Sequence, residues 1–259
     1  MTFKEGTFSW VDLNAHDMDA ALKWYGELFG WDMRLEDTGD GGGLPYALFL
    51  QDGKKVAGIG QMADAMKAHM PSMWNSYIAV ESCEAIEAKA VELGAEVVVP
   101  TTQVSEQGWM ACVKDPVGAV VGFWQANTHT GAEIYNVPNS FSWNELATRD
   151  IEAATRFYGD LLGWEFEDNV GPAPMRIIRN KGRENGHLLA MDDEWPDVPA
   201  RWSVYFTVAD CDAATQKAHE RGGTIAVPVT DISVGRFSVV VDPQGASFYL
   251  FQNTLPQHD

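Results

Sequence analysis

Residues 8–62 begin with an alternating segment and continue with a helical one. Phe8–Leu13 alternates apolar and polar positions and is rich in β-forming residues, which predicts a strand. Asp17 then stands where a helix N-cap belongs, and apolar residues recur on one helical face as far as Phe29. Gly30 follows as the residue that ends the helix. Three short strand-like runs complete a β-α-β-β-β module: Trp31–Leu35, Tyr46–Gln51 and Val56–Met62.

The same order of elements follows at once in a second module. A strand is predicted at Ser76–Val80 and a helix at Glu84–Leu93. Asp115-Pro116-Val117-Gly118 has the residues of a type I turn between hairpin strands. The other strands predicted in this module are Glu96–Val99, Trp109–Lys114 and Ala119–Gln125.

The chain then repeats both modules. Phe8–Leu13 aligns with Phe141–Leu146, and the Asp-Pro-x-Gly turn at Asp115 aligns with another at Asp242. The sequence therefore predicts an α+β fold of four βαβββ modules, paired into two tandem domains with concave mixed sheets and the helices outside. The predicted boundaries are domain 1 at 1–126 (modules about 7–62 and 74–126), a linker at 127–139, and domain 2 at 140–259 (modules about 140–192 and 201–253).

The repeated helix ends, Trp24–Trp31 and Phe157–Trp164, and the two Asp-Pro-x-Gly turns resemble the vicinal oxygen chelate superfamily. That superfamily includes glyoxalase I, bleomycin-resistance proteins and extradiol dioxygenases. The tandem form is similar to two-domain glyoxalase-family proteins of actinobacteria. The resemblance implies that paired modules form a cup, and that catalytic members hold a divalent metal there as a Lewis acid.

The resemblance also implies where metal ligands would stand. A transition-metal site takes three or four imidazole, carboxylate or thiolate ligands. This chain offers mostly other residue types, so we expect no metal cofactor, with a divalent metal as the alternative and His187 as its best ligand. The implied positions are Trp10, Trp143, Asn75, Ser203, Gly122, Tyr249, Gly58–Gly60 and Gly186–His187.

Strand alternation suggests what faces the cup instead. Residues two apart share a face, so Trp10 brings Asp12 inward and Trp143 brings Glu145 inward. The alternative is that the tryptophans are core residues and that the carboxylates accept backbone N–H groups or pair with Arg149 or Arg236. The candidate ligand-binding residues are Trp10, Asp12, Asn75, Tyr77, Trp124, Trp143, Glu145, Ser203, Tyr205 and Tyr249.

Composition narrows the choice of partner. The net charge of −19 disfavours nucleic acid and anionic membranes, and it favours a neutral or cationic ligand. No signal peptide or membrane span is visible, and three cysteines cannot all pair within one chain, so we expect a cytoplasmic protein.

Several functions fit these features. The first is a metal-free protein that binds a small aromatic or amphipathic molecule. The second is a metal-free isomerase or cyclase in which Asp12 or Glu145 is the catalytic residue that transfers a proton. The third is a metal-dependent, glyoxalase-like lyase, isomerase or dioxygenase. The fourth is a protein-interaction module that uses its outer surfaces.

Overall fold

The computed structural model describes residues 3–36, 44–169, 174–193, 195 and 198–254. The start of predicted domain 1 and the end of predicted domain 2 therefore lie outside the described residues. The first repeat contains β1 Phe8–Ala15, α1 Met18–Phe29, β2 Asp32–Glu36, β3 Tyr46–Gln51, β4 Lys54–Gln61, α2 Asp64–Lys67, β5 Met73–Ala79, α3 Cys83–Glu92, β6 Glu96–Val104, β7 Gly108–Lys114 and β8 Val120–Ala126. The second contains β9 Ser140–Thr148, α4 Ile151–Leu162, β10 Glu165–Asn169, β11 Met175–Asn180, β12 Arg183–Ala190, β13 Arg201–Thr207, α5 Cys211–Glu220, β14 Thr224–Ile232, β15 Gly235–Val241 and β16 Ser247–Asn253.

The first helix of each repeat begins and ends as the sequence predicts. The Asp17 side chain accepts a hydrogen bond from the Ala20 backbone N–H at 3.0 Å, which satisfies one of the free donors of α1. Gly30 ends α1 with a φ of 74°, a conformation that costs glycine little. Asp150 and Gly163 cap α4 in the same way.

The strands form two mixed sheets of eight. Their orders are β2-β3-β4-β1-β5-β8-β7-β6 and β10-β11-β12-β9-β13-β16-β15-β14. The pair β1·β4 is parallel, whereas β2·β3 and β3·β4 are antiparallel. The predicted α+β fold with four βαβββ modules is therefore confirmed. The short helix α2, between the first two modules, was not predicted, because four residues carry no helical periodicity.

Residue contacts group the chain into two compact units, and each unit takes one module from each repeat. Unit 1 comprises 1–10, 75–131 and 143–203, and unit 2 comprises 11–74, 132–142 and 204–259. The modules of unit 1 are thus the second and the third, and those of unit 2 are the first and the last. The domain boundaries given above describe pairing within each repeat, and they stay a prediction.

Each unit has its own aromatic core. In unit 1, Phe8 packs against the rings of Trp164 and Trp202, with centroids 5.7 and 5.0 Å apart. In unit 2, Trp31 packs against Phe29 and Phe49 at 4.4 and 5.0 Å. Trp31 and Trp164 are 6% and 4% exposed, so both belong to the core. Their burial removes large apolar surfaces from water.

A buried chain of hydrogen bonds crosses the core of unit 1. The Trp202 indole N–H donates to the Tyr158 hydroxyl at 2.8 Å, and this hydroxyl donates to Asp115 Oδ2 at 2.7 Å. Asp115 belongs to the Asp-Pro-x-Gly turn of the second module, and Tyr158 belongs to the helix of the third. The chain therefore joins the two modules of the unit through satisfied polar groups, which stabilise a buried carboxylate.

Unit 2 contains the same arrangement. The Trp74 indole donates to the Tyr25 hydroxyl at 3.0 Å, and Tyr25 donates to Asp242 Oδ2 at 2.9 Å. Burial raises the pKa of both tyrosines well above 10. The residues that carry the sequence resemblance, the helix tyrosine and the turn aspartate, thus bond to each other across the repeats.

The pKa of Asp115 gives stability a definite pH dependence. Burial raises the pKa of this carboxyl above its ordinary value, although hydrogen bonds from Tyr158 and the backbone act in the opposite direction. The folded chain therefore holds the proton more tightly than the unfolded chain. The contribution of this group to the free energy of unfolding falls as pH rises from its unfolded pKa through its folded pKa. In urea titrations between about pH 4 and about pH 7, we expect wild type to gain stability relative to Asp115→Asn as pH falls.

Asp64 is a control for that experiment, because its pKa is shifted in the opposite direction from that of Asp115. Its side chain bonds to Lys67 on the surface, and this bond lowers its pKa. Asp64→Asn should therefore change the slope only slightly, and in the opposite direction. If wild type instead lost stability relative to Asp115→Asn as pH fell, the effect of burial on the pKa of Asp115 would be wrong.

No helix within the described ranges is long and apolar enough to span a membrane. The three cysteines are buried, and burial raises the pKa of Cys83 to about 11 and raises that of Cys211. The thiols of Cys83 and Cys211 are therefore poor nucleophiles.

Candidate functional site

Trp143, Glu145 and His187 form a hydrogen-bonded chain in unit 1. Trp143 and Glu145 lie two residues apart on β9, and His187 lies on the parallel strand β12 in register with Glu145. The Trp143 indole N–H donates to His187 Nδ1 at 2.7 Å, and His187 Nε2 lies 3.0 Å from Glu145 Oε2. Glu145 and His187 are 2% and 8% exposed, whereas Trp143 is half-buried.

This geometry fixes the tautomer of His187. An indole N–H can only donate, so Nδ1 must be the acceptor and carries no proton. The ring proton therefore stands on Nε2, where it donates to Glu145. The imidazole thus orients the Glu145 carboxylate through Nε2 and the Trp143 ring through Nδ1. Both of its nitrogens therefore form hydrogen bonds.

The first repeat orients the equivalent carboxylate differently. Asp12 is in register with Gly58 on β4, the position that His187 occupies in the second repeat. The Tyr46 hydroxyl lies over Gly58 and donates to Asp12 Oδ2 at 3.3 Å. A Cβ on residue 58 would lie 1.9 Å from the Tyr46 oxygen, so the glycine makes room for the phenol. Asp12 and Tyr46 are both half-buried.

The predicted aromatic residues are mostly buried. Trp10 is 3% exposed and contacts the His129 ring edge-on, with centroids 4.4 Å apart. The Trp124 indole donates to the His129 backbone oxygen at 2.8 Å. In unit 2, Tyr205 and Tyr249 stack with centroids 4.0 Å apart and planes inclined by 10°. Among the predicted aromatic ligand residues, all of which the structure describes, Trp143 alone is not buried.

Three further candidates complete the predicted set. Tyr77 is in register with Gly122 and its ring covers that glycine, so that a Cβ there would lie 2.3 Å from the ring. Asn75 is half-buried on β5, and Ser203 is buried on β13.

The donors at the positions implied by the resemblance do not fit a transition metal. In the first repeat, Gly58 and Gly122 are covered by tyrosines. In the second, both nitrogens of His187 are engaged, and Tyr249 is stacked on Tyr205. Within the described ranges no group of three or more His, Cys, Asp or Glu side chains could hold a metal ion. The expectation of no metal cofactor stays a prediction.

Sequence reasoning missed two of these residues. Tyr46 had been placed on a strand without a role, although the glycine-rich run Gly58–Gly60 was a signal that a large side chain lies close. His129 had been placed in a linker, yet it is 7% exposed. Arg236, suggested above as a partner of the strand carboxylates, forms ion pairs with Asp231 and Asp212.

Comparison with known protein families gives one match for each of the two sequence repeats. The sequence profile of the Glyoxalase/Bleomycin resistance protein/Dioxygenase superfamily matches residues 7–123 and again residues 140–250. The chain therefore belongs to this superfamily, as the resemblance in its motifs implied.

Two full-length relatives have informative names. A protein of Mycobacterium tuberculosis named "Putative glyoxylase CFP32" is 39% identical over 95% of this chain and 94% of its own length. The Streptomyces peucetius protein named "Anthracycline biosynthesis protein DnrV" is 31% identical over 95% of this chain and 93% of its own length.

Solved structures share the fold at much lower identity. The Mn(II)-bound glyoxalase of Novosphingobium aromaticivorans has a TM-score of 0.64 and 17% identity, and the match covers 96% of this chain and 82% of that one. The 2,3-dioxygenase LapB of Pseudomonas sp. KL28 has a TM-score of 0.64 and 13% identity, with 100% and 97% covered. These likenesses concern the fold alone.

Proposed function

We propose that this chain is a small-molecule-binding protein that holds a flat aromatic ligand against Trp143 without a catalytic metal. The observation that carries the proposal is the hydrogen-bonded chain Trp143–His187–Glu145. It anchors the polar edge of the indole and leaves the ring only half-buried. A ring fixed in this way offers a preorganised stacking surface, and such a surface loses little freedom when a ligand binds.

Electrostatics and one relative favour the same class of ligand. The net charge of −19 and the carboxylate of Glu145 disfavour an anionic molecule. The Streptomyces relative is named for the biosynthesis of anthracyclines, which are planar and aromatic. A neutral, hydroxylated polycyclic molecule therefore suits both the charge and the shape of Trp143.

The test is a binding titration with quinizarin, a neutral hydroxylated anthraquinone, followed by its visible absorbance. Wild type should bind it saturably. Trp143→Ala should weaken binding about fivefold or more, because a stacked aromatic pair contributes roughly 1 kcal/mol in addition to the effect of its buried area. Trp195→Ala is the control, since Trp195 is a half-buried tryptophan of the same unit that contacts Arg201 and lies outside the proposed site.

Two results would overturn the proposal. One is the absence of saturable binding by wild type to quinizarin and to a wider set of flat aromatic molecules. The other is equal affinity of wild type and Trp143→Ala, which would place the ligand elsewhere.

A second candidate is a metal-dependent lyase, favoured by the relative named "Putative glyoxylase CFP32". Elemental analysis after exposure to Zn, Ni, Mn and Fe separates the two. A tightly held, stoichiometric metal would favour the lyase and would require different ligands from the ones described above. A substoichiometric content with all four metals would favour the binding protein.

A further inference from the structure

Unit 1 contains a cleft of about 480 Å³ beside the ends of β5 and β8. Its volume lies in the usual range of small-molecule sites. Three of its lining residues, Ser9, Val80 and Trp124, are buried, and Trp143 does not line it. Four lining residues are exposed and charged, two of each sign: Lys4, Glu5, Glu81 and Lys181. The cleft therefore combines a buried apolar part with charged groups that solvent reaches.

Hydrogen bonds fix the backbone that carries these charges. The Asn180 side chain donates to the Glu5 backbone oxygen at 2.9 Å, and the Trp164 indole donates to the Gly6 backbone oxygen at 2.9 Å. Lys181 follows Asn180 in the tight two-residue turn between β11 and β12, with a φ of 51°. The backbone at Glu5 and at Lys181 is thus held in place before any ligand binds, which lowers the entropic cost of binding.

Unit 2 contains the same framework without these charges. The Gln51 side chain donates to the Pro138 backbone oxygen at 3.2 Å, and the Trp31 indole donates to the Asn139 backbone oxygen at 2.7 Å, as Asn180 and Trp164 do in unit 1. In the order of the four charged residues above, the equivalent positions hold Val137, Pro138, Ala209 and Asp52. The framework therefore does not require two lysines and two glutamates at these positions.

The cleft also keeps its opposite charges apart. Among the described residues, none of the four charged side chains forms an ion pair, either with each other or with another residue. A ligand with a single charge would meet one attractive and one repulsive pair of side chains. A ligand that carries both charges can place each one beside its opposite, and such charge-assisted contacts also fix its orientation.

We propose that this cleft binds a zwitterionic molecule of about the size of a dipeptide. Its carboxylate lies at the two lysines and its ammonium group at the two glutamates. Phe3 and Trp124 supply aromatic surface for the apolar part of the ligand. A zwitterion is neutral overall, so the net charge of −19 does not oppose its binding. The proposal does not depend on ligand binding at Trp143.

The test is a titration of the full chain, followed by backbone amide NMR shifts, with three ligands. Glycyl-phenylalanine carries both charges, its N-acetyl derivative lacks the ammonium group, and its C-terminal amide lacks the carboxylate. Glycyl-phenylalanine should shift the amides of Val80, Glu81 and Gln125, which line the cleft. Each derivative should bind about fivefold more weakly, since an exposed ion pair contributes up to about 1 kcal/mol.

Paired variants assign each charge of the ligand to its partner. Lys4→Met combined with Lys181→Met should weaken binding of glycyl-phenylalanine about fivefold and leave binding of the amide unchanged. Glu5→Gln combined with Glu81→Gln should weaken binding of glycyl-phenylalanine and leave binding of the N-acetyl derivative unchanged. The control is Lys54→Met, which removes an exposed lysine of unit 2 and should leave binding of all three ligands unchanged.

Several results would overturn the proposal. One is equal or tighter binding of either derivative by wild type, which would mean that the cleft does not select a zwitterion. Another is a set of shifted amides confined to residues outside the cleft. A third is the absence of saturable binding by wild type to glycyl-phenylalanine and to other dipeptides. None of these measurements involves Trp143 or quinizarin, so this proposal and the proposed function fail separately.

Discussion

Replacing Asp115 by alanine is expected to lower the free energy of unfolding by about 3 kcal/mol or more. Asp115 Oδ1 accepts hydrogen bonds from the backbone N–H groups of Val117 and Ala119, at 3.1 and 2.8 Å. Its Oδ2 accepts the Tyr158 hydroxyl at 2.7 Å. Alanine leaves these donors without their acceptor in a buried place, and each costs roughly 1–3 kcal/mol. Urea unfolding followed by circular dichroism measures the loss.

The duplicated chain offers matched variants for this experiment. Asp242→Ala removes the equivalent carboxylate of unit 2, where Tyr25 is the donor, and should cost a similar amount. Asp150→Ala removes an exposed carboxylate that caps α4, and should cost only about 1 kcal/mol. If Asp115→Ala were no more destabilising than Asp150→Ala, the buried chain of hydrogen bonds would not hold the modules of unit 1 together.

These bonds explain why a weak sequence motif can identify the fold. The helix tyrosine and the turn aspartate are far apart along the chain. A tyrosine in a helix or an aspartate in a turn is common in proteins, so neither alone identifies a fold. In the structure, Tyr25 bonds to Asp242 and Tyr158 bonds to Asp115, so each motif of one repeat completes a motif of the other. The residues that carry the family resemblance therefore stabilise the fold.

Local pattern was enough to predict the modules but not the way they group into units. The caps at Asp17 and Gly30 and the strand Tyr46–Gln51 were predicted correctly because their signals lie within a few residues. The bond from Tyr25 to Asp242 spans 217 residues, and no periodicity connects them. The sequence therefore predicts pairing within each repeat, while each compact unit takes one module from each repeat.

The candidate site shows the same limit. Strand alternation placed Trp143 and Glu145 on one face, and the structure links both to His187. Tyr46 could not be assigned from its own strand, because its role depends on the absence of a side chain at Gly58 on the neighbouring strand. A residue whose function depends on empty space beside it leaves little signal in its own local sequence.

Gly122 stands at one of the metal-ligand positions that the family resemblance implies. Glutamate is one of the residue types that bind transition metals, but a Cβ here would lie 2.3 Å from Tyr77 Cδ1. Tyr77 is 7% exposed, so its ring has little room to move away. Gly122→Glu is therefore expected to lower the free energy of unfolding by about 3 kcal/mol, the upper part of the usual range for an overpacked core. Thermal and urea unfolding measure the change.

A second glycine separates this steric effect from the general cost of replacing glycine. Gly159 lies inside α4, and the nearest atoms to a Cβ there are 3.6 Å away, which is ordinary contact. Gly159→Ala should therefore be neutral or stabilise the protein by about 0.5–1 kcal/mol. A Gly122→Glu protein as stable as wild type would mean that Tyr77 yields its place. If that variant also bound stoichiometric Mn(II), Tyr77 would have moved away and made a metal-binding position accessible. The proposal that the first repeat functions without a metal would then be wrong.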